Sequence, residues 1–323
     1  MDRRLLLGSV LSVLAAGPLP AFSQDAAQGK PLKIVIPFGP GGGSDSVMRV
    51  LQPHLAEYLK RPVIVENKPG AGGTIGAAAV AKAAPDGNTL LLSEISVVTI
   101  SPALYDNLTY KVSDLAPVIN LAQYPLALVA APTFPANTMS EVLALDKAAP
   151  GKHSMASSGN GTSPHLTIEL LNQKAGTKFV HVPYKGSGPA INDVLGGQVD
   201  MVFTGYTTVA GLVRSGKLKV LSVTSLKKAA NLPQVASIAE SGVAGFESVL
   251  VQGVFAPKGT SVDLIRSFNQ AFNAVLNKNE VKEQLSQQGL SPRQNTHEEF
   301  AESIKSQSMQ WEKVIKLGGI HPD

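Results

Sequence analysis

The sequence predicts an α/β protein built from two units, each a doubly wound sheet with flanking helices. Three observations carry this. Short apolar runs of strand length alternate with helix-length amphipathic segments; the alternation begins afresh about midway along the chain; and strand-to-helix junctions in both parts carry glycine-rich loops. At 323 residues the chain can bury two cores of ordinary domain size.

The first element is the apolar strand Lys33-Ile34-Val35-Ile36-Pro37-Phe38. It runs into the loop Gly39-Pro40-Gly41-Gly42-Gly43, after which Ser44-Asp45 is placed to cap a helix reaching about residue 59, with Val47, Leu51, Leu55 and Leu59 at helical spacing. A strand over residues 62–66 follows, then the loop 67–73, a helix opening near Thr74, the turn Pro85-Asp86-Gly87 and a strand over 89–92. Beyond Leu126-Ala127-Leu128-Val129 the pattern repeats in architecture but not in residues. A strand over 152–156 leads through Ser157-Ser158-Gly159-Asn160-Gly161-Thr162-Ser163 into a helix with Pro164 in its favoured first position. Strands over 179–182, 199–203 and 218–224 alternate with a helix over 189–195 and a short one near Val209. The tail is helical. Thr260 or Ser261 opens a helix with Leu264, Phe268, Phe272 and Val275 on one face, and Thr296-His297-Glu298-Glu299 reads as a capping box before a last helix through Phe300, Ile304, Trp311 and Ile315. The lone Trp is expected in the core.

Composition narrows the functions. The chain is 44% hydrophobic and 16% charged with 30 Gly and 22 Pro, a globular composition rich in tight turns. The +4 formal charge is not gathered into Lys/Arg runs and aromatics are 5%, which argues against a nucleic-acid surface. Absence of Cys excludes disulfides, thiolate nucleophiles and Cys zinc sites. Arg3-Arg4, the apolar stretch 5–16 and Ala21-Phe22-Ser23 have the form of a signal peptide over residues 1–23, interrupted by Pro18 and Pro20 before it reaches spanning length. Export from the cytoplasm, to the periplasm, is the expectation.

Chemistry is concentrated in three loops: 39–44, 70–73 and 157–163. Glycine lets backbone approach a ligand, and a helix N-terminus offers unpaired N–H groups beside the positive end of its dipole, so each loop is either an anion cradle or an ordinary hydrated helix start. Three such loops in two units favour a cleft. The first lacks the G-K-[ST] ending of a P-loop. Glu66, at the end of the second strand, stands where a dinucleotide-binding fold keeps a ribose-binding acid, which leaves an NAD-linked α/β enzyme as an alternative. No nucleophile elbow, metal-spaced His pair or carboxylate cluster appears, so no catalytic residue, metal or cofactor is assigned. His165, in the first turn after the second-unit loop, is either an anion contact or a capping His; Asp45 is read first as a helix cap and second as a ligand contact.

The motifs Ile34-Val35-Ile36-Pro37-Phe38-Gly39-Pro40-Gly41-Gly42-Gly43-Ser44-Asp45, Val63-Ile64-Val65-Glu66-Asn67-Lys68-Pro69-Gly70-Ala71-Gly72-Gly73 and Pro85-Asp86-Gly87-Asn88-Thr89-Leu90-Leu91 resemble the Bug-type solute receptors of tripartite tricarboxylate transporters. Val182-Pro183-Tyr184-Lys185-Gly186, Gly197-Gln198-Val199-Asp200 and Phe255-Ala256-Pro257-Lys258-Gly259-Thr260 continue the likeness in order along the chain. The resemblance implies a two-lobed periplasmic binding protein fold with two crossover strands. Lobe 1 would comprise residues 24–123 plus 253–323, and lobe 2 residues 124–252. It implies a small carboxylate held between the lobes, a dicarboxylate, tricarboxylate, acidic amino acid or aromatic carboxylate, for delivery to membrane permease subunits. A periplasmic sensor docking on a receptor kinase is the further alternative. The expected ligand-binding residues are Phe38, Gly39, Gly41, Gly42, Gly43, Ser44 and Asp45 from lobe 1, and Ser157, Ser158, Gly159, Asn160, Gly161, Thr162, His165, Tyr184, Lys185, Gly186 and Thr204 from lobe 2. Ser93 and Glu94 join them as a departure, because similar proteins often have a neutral or small segment after that strand.

Overall fold

The computed structural model describes residues 29–321; the expected signal peptide lies outside the described residues. The chain runs β1 (Leu32–Ile36), α1 (Gly43–Leu59), β2 (Val63–Asn67), α2 (Thr74–Ala81), β3 (Thr89–Glu94), α3 (Ser96–Thr99), α4 (Ser101–Leu104) and β4 (Leu115–Ala130). It continues through α5 (Met139–Ala148), β5 (Ser154–Ser157), α6 (Ser163–Ala175), β6 (Val180–Pro183), α7 (Ser187–Leu195), β7 (Met201–Gly205), α8 (Tyr206–Arg214) and β8 (Lys219–Val223). It ends with β9 (Val249–Pro257), α9 (Val262–Leu276), α10 (Asn279–Gln287), β10 (Ser291–Pro292) and α11 (His297–Gly318).

The strands follow the order β2-β1-β3-β9-β4-β7-β5-β6, with β8 and β10 also paired to β4. Within each half the early strands are parallel: β1 with β2 and β3, and β5 with β6 and β7. At the join the sheet is antiparallel. β4 pairs β9 as far as Pro125↔Val249 and then exchanges partners, pairing β7 from Leu126↔Gly205 and β8 from Ala127↔Val223. The chain therefore leaves the first half at residues 125 and 126 and re-enters it at 249. Thr224 ties both crossings: its hydroxyl oxygen accepts the Leu126 amide at 2.8 Å and donates to the Ser248 carbonyl, while the Ser248 amide donates to the Thr224 carbonyl at 2.9 Å.

The period of two in each strand decides which layer it feeds. Ile34, Ile36, Leu90 and Leu92 face α1 and α9, packing on Val47, Leu51, Leu55, Phe268 and Phe272; Val35 and Leu91 face the other way, onto Ala77, Val80, Phe300 and Ile304. In the second half Met155 and Phe203 pack on Leu166 and Leu170 of α6, whereas Ala156 and Val202 pack on Ala190, Ile191 and Val194 of α7. The last helix begins with the expected capping box, Thr296 accepting the Glu299 amide and Glu299 accepting the Thr296 amide. Its Phe300 and Ile304 pack in the first half, but Trp311, Val314 and Ile315 pack in the core of the second. Trp311 is buried, as expected.

Two local expectations change. The strand expected over 89–92 extends to Glu94, because Ser93 and Glu94 find antiparallel partners in Gly253 and Gln252. Asp45 is not the cap of α1: the cap position is Gly42, and Asp45 lies within the first turn with its side chain buried.

Candidate functional site

A cavity of about 630 Å³ lies where the two halves meet, a size suited to a small molecule. Four helix starts supply much of its wall: Gly41, Gly42, Gly43 and Ser46 at α1, Asn160 to Pro164 at α6, Ser187 at α7, and Gly205, Thr207 and Thr208 at α8. The first turns of α1 and α6 contain N–H groups without an intrahelical acceptor, and each helix brings roughly half a positive charge to that end. Lys, Arg, His and Asp are absent from the described residues lining the cavity, and Glu94 is the one carboxyl side chain among them. The attraction for an anion is thus built from backbone.

The two principal loops share a device. Gly41 N–H donates to Asp45 Oδ2 at 2.9 Å, and Gly161 N–H donates to His165 Nδ1 at 3.0 Å. In each case a side chain four residues on, in the first turn of the helix, folds back to hold the glycine amide. Asp45 also accepts from Arg49 at 2.7 Å and from Asn67 at 3.2 Å. Burial raises its carboxyl, but these hydrogen bonds outweigh burial and hold it below the usual carboxylate range. His165 stacks on His181, with ring centroids 3.8 Å apart, and His181 Nε2 lies 2.6 Å from Ser157 Oγ. Close approach requires glycine at two positions. Gly161 has φ +70° and a Cβ there would lie 2.6 Å from Leu104 Cδ1; a Cβ on Gly43 would lie 3.1 Å from the Tyr124 hydroxyl.

Phe38, Gly41, Gly42, Gly43, Glu94, Ser158, Asn160, Gly161, Thr162 and Thr204 from the sequence reading line the cavity. The others stand behind or beside its wall. Ser44 Oγ donates to the buried Gln252 at 2.6 Å, and Ser93 Oγ donates to the Glu94 carbonyl. Asp45, Ser157 and His165 are engaged as described. Gly159 gives its carbonyl to Thr162 Oγ1 at 2.7 Å, and the Gly186 amide donates to the Ser158 carbonyl at 3.1 Å. Tyr184 donates to Asp193 at 2.6 Å, and Gly39 and Lys185 are exposed. Glu66 pairs with Lys33 at 2.9 Å and is not in the wall.

Sequence reasoning missed Tyr124, Ser96, Ser101, Thr207, Thr208 and Gln288, all of which line the cavity, while Ser163 lines it as a member of the expected 157–163 loop. Thr207 and Thr208 repeat the strand-to-helix signal of the other loops without its glycine run. Tyr124 and Gln288 carried no local signal, since β4 and the end of α10 arrive only through the crossing. Burial and the nearby Glu94 carboxylate push the Tyr124 phenol up, so it stays a neutral hydroxyl. Two lining atoms, Thr204 Oγ1 and Gln288 Oε1, are buried without a hydrogen-bond partner among the described residues. A ligand that reached them would relieve a cost of about 1–3 kcal/mol each.

The match to known proteins decides the family. The model of the tripartite tricarboxylate transporter family receptor matches residues 47–320. The chain belongs to this receptor family. BugT of Bordetella pertussis is 35% identical over 318 residues, covering 98% of each chain. Among solved structures, Rpa4515 of R. palustris with adipate has a TM-score of 0.80 at 28% identity, covering 93% of this chain and 100% of that one. MatC of Rhodopseudomonas palustris with bound malate has a TM-score of 0.74 at 29% identity, covering 90% and 99%. This chain is a Bug-type solute receptor, and the family gives it membrane transporter subunits as partners. No helix among the described residues is long and apolar enough to cross a membrane.

Proposed function

We propose that the receptor captures a small carboxylate in the cavity between its halves and releases it to the permease subunits of a tripartite transporter, without chemical change to the ligand. The observation that carries this reading is a cavity faced by the starts of α1 and α6, from different halves, with no cationic side chain among the described lining residues. Backbone N–H groups in such a place suit a carboxylate, each charge-assisted hydrogen bond contributing on the order of 1.5–3 kcal/mol. Relatives solved with adipate and malate support the ligand class. The binding residues are those of the sequence reading that line the wall, Ser163 of the 157–163 loop among them, with Tyr124, Thr207 and Gln288 added. Ser44, Asp45, Ser93, Ser157, Gly159, His165, Tyr184 and Gly186 support them from behind, and Gly39 and Lys185 lie exposed outside the wall.

The working lobes are residues 24–125 with 249–323, and residues 126–248, a shift of two to four residues from the sequence-based division at 123/124 and 252/253, closing about the crossings at β4 and β9. The packing of Trp311 on the second core makes the end of α11 a brace between them. Removal of residues 1–23 would release the receptor in the periplasm. The NAD-linked and kinase-sensor alternatives draw no support from the family match.

A thermal-shift panel of dicarboxylates, citrate, acidic amino acids and aromatic carboxylates, with NAD as comparison, tests the reading on refolded mature protein. A ligand at about 100 times its Kd stabilises by about 2.7 kcal/mol. Stabilisation by a carboxylate is expected; silence from every carboxylate with a response to NAD would overturn it.

A further inference from the structure

We infer that Glu94 selects for a carboxylate that also carries an ammonium group, and against the dicarboxylate of matching length. This deepens the carboxylate-receptor reading and rests on it. Glu94 ends β3 at the cavity wall, where it is half-buried and is the one carboxyl side chain among the described lining residues. Its Oε1 accepts from Ser163 Oγ at 2.8 Å, at the start of α6, and Ser96 donates to it as well. Neither partner neutralises it. Its antiparallel neighbour Gln252 is committed elsewhere, accepting from Ser44 at 2.6 Å and reaching the Tyr124 hydroxyl at 3.4 Å. No ion pair reaches Glu94 among the described residues.

The wall therefore offers two kinds of contact. Backbone N–H groups at α1 and α6 take negative charge, and a single carboxylate takes positive charge. The buried Thr204 hydroxyl, without a hydrogen-bond partner among the described residues, independently marks the cavity as built for a polar ligand. A dianion would place its second negative charge beside this carboxyl group in a poorly solvated site and oppose its ionisation, while an ammonium would pair with the carboxylate and supply up to three donors. Burial raises the Glu94 carboxyl above its ordinary range although the Ser163 and Ser96 hydroxyls lower it, and an ammonium placed beside it would favour the ionised form.

Calorimetric titration at neutral pH tests this with matched ligands: succinate against L-aspartate and γ-aminobutyrate, and glutarate against L-glutamate and δ-aminovalerate. The proteins are the wild type, the isosteric Glu94→Gln and, as a second variant, Glu94→Ala, each checked for folding by its unfolding midpoint. The expected result is that an aminated ligand binds the wild type at least tenfold tighter than its diacid, and that both variants reduce the ratio to within about twofold. A ratio at or below one in the wild type, or a ratio unchanged in the variants, overturns the selectivity. Equal weakening of diacid and aminated ligand would also overturn it, reducing Glu94 to a tie between β3 and α6. If all six ligands fail while citrate or an aromatic carboxylate binds, the selectivity falls and the carboxylate-receptor reading stands.

Discussion

The Gly41 amide donates to Asp45 Oδ2 at 2.9 Å, and this bond fixes the glycine loop to the first turn of the helix it precedes. Asp45 is buried and its carboxyl lies below the usual range. A depressed folded pKa means that folding favours the ionised form. The contribution is complete above the unfolded value of about 3.9 and is lost as pH falls through the folded value. Urea midpoints of the wild type should therefore decline below about pH 4. Asp45→Asn should be less stable at neutral pH and show a shallower decline in that acid range. Parallel curves for the two proteins would show that Asp45 is not linked to folding.

Thr224→Val keeps the shape of the side chain but leaves the Leu126 amide and the Ser248 carbonyl short of a partner at the two crossings. Burial of these groups predicts a loss of about 1–3 kcal/mol, read by denaturant unfolding. An unchanged midpoint would mean that water replaces the hydroxyl.

Gly161→Ala and Gly42→Ala form a contrasting pair. Gly161 has φ +70° with Leu104 in the way of a Cβ, so alanine there should cost about 1–2 kcal/mol of stability as well as affinity. Gly42 has φ −73° and only the Gly39 carbonyl nearby, at 3.4 Å, so alanine should be tolerated in folding while its methyl group intrudes on the cavity wall. Comparing thermal midpoints with and without ligand separates the two effects. Equal apo stability for both variants would contradict the backbone argument.

Thr204→Val removes a buried hydroxyl that lacks a hydrogen-bond partner among the described residues. The apo protein should be unchanged or slightly more stable, whereas ligand affinity should fall roughly 5- to 10-fold, about 1–1.4 kcal/mol. Normal affinity in the variant would remove Thr204 from the site.

Much of this was legible in the sequence where a local rule governs the outcome. The capping box at Thr296 and Glu299, the apolar stripe through Phe268 and Phe272, and alternation in Ile34, Val35 and Ile36 each follow from backbone periodicity. The Asp45 expectation failed for a local reason too: with Gly42 already extended at the cap, the carboxylate turns back to Gly41 and across to Asn67. The sixteen-residue strand β4 was visible only in its apolar second part, since Asn120, Gln123, Tyr124 and Pro125 obscure the first. Tyr124 and Gln288 reach the cavity through pairing and packing across long sequence separations, which no window of residues reports.

The anion-attracting part of the cavity is peptide backbone, and this separates two properties that usually change together. Side chains such as Glu94, Tyr124, Thr204 and Gln288 can be exchanged one at a time, altering which molecule fits, without dismantling the helix starts that attract its charge. A duplicated gene could thus acquire a new nutrient through a handful of point substitutions and still inherit a working grip.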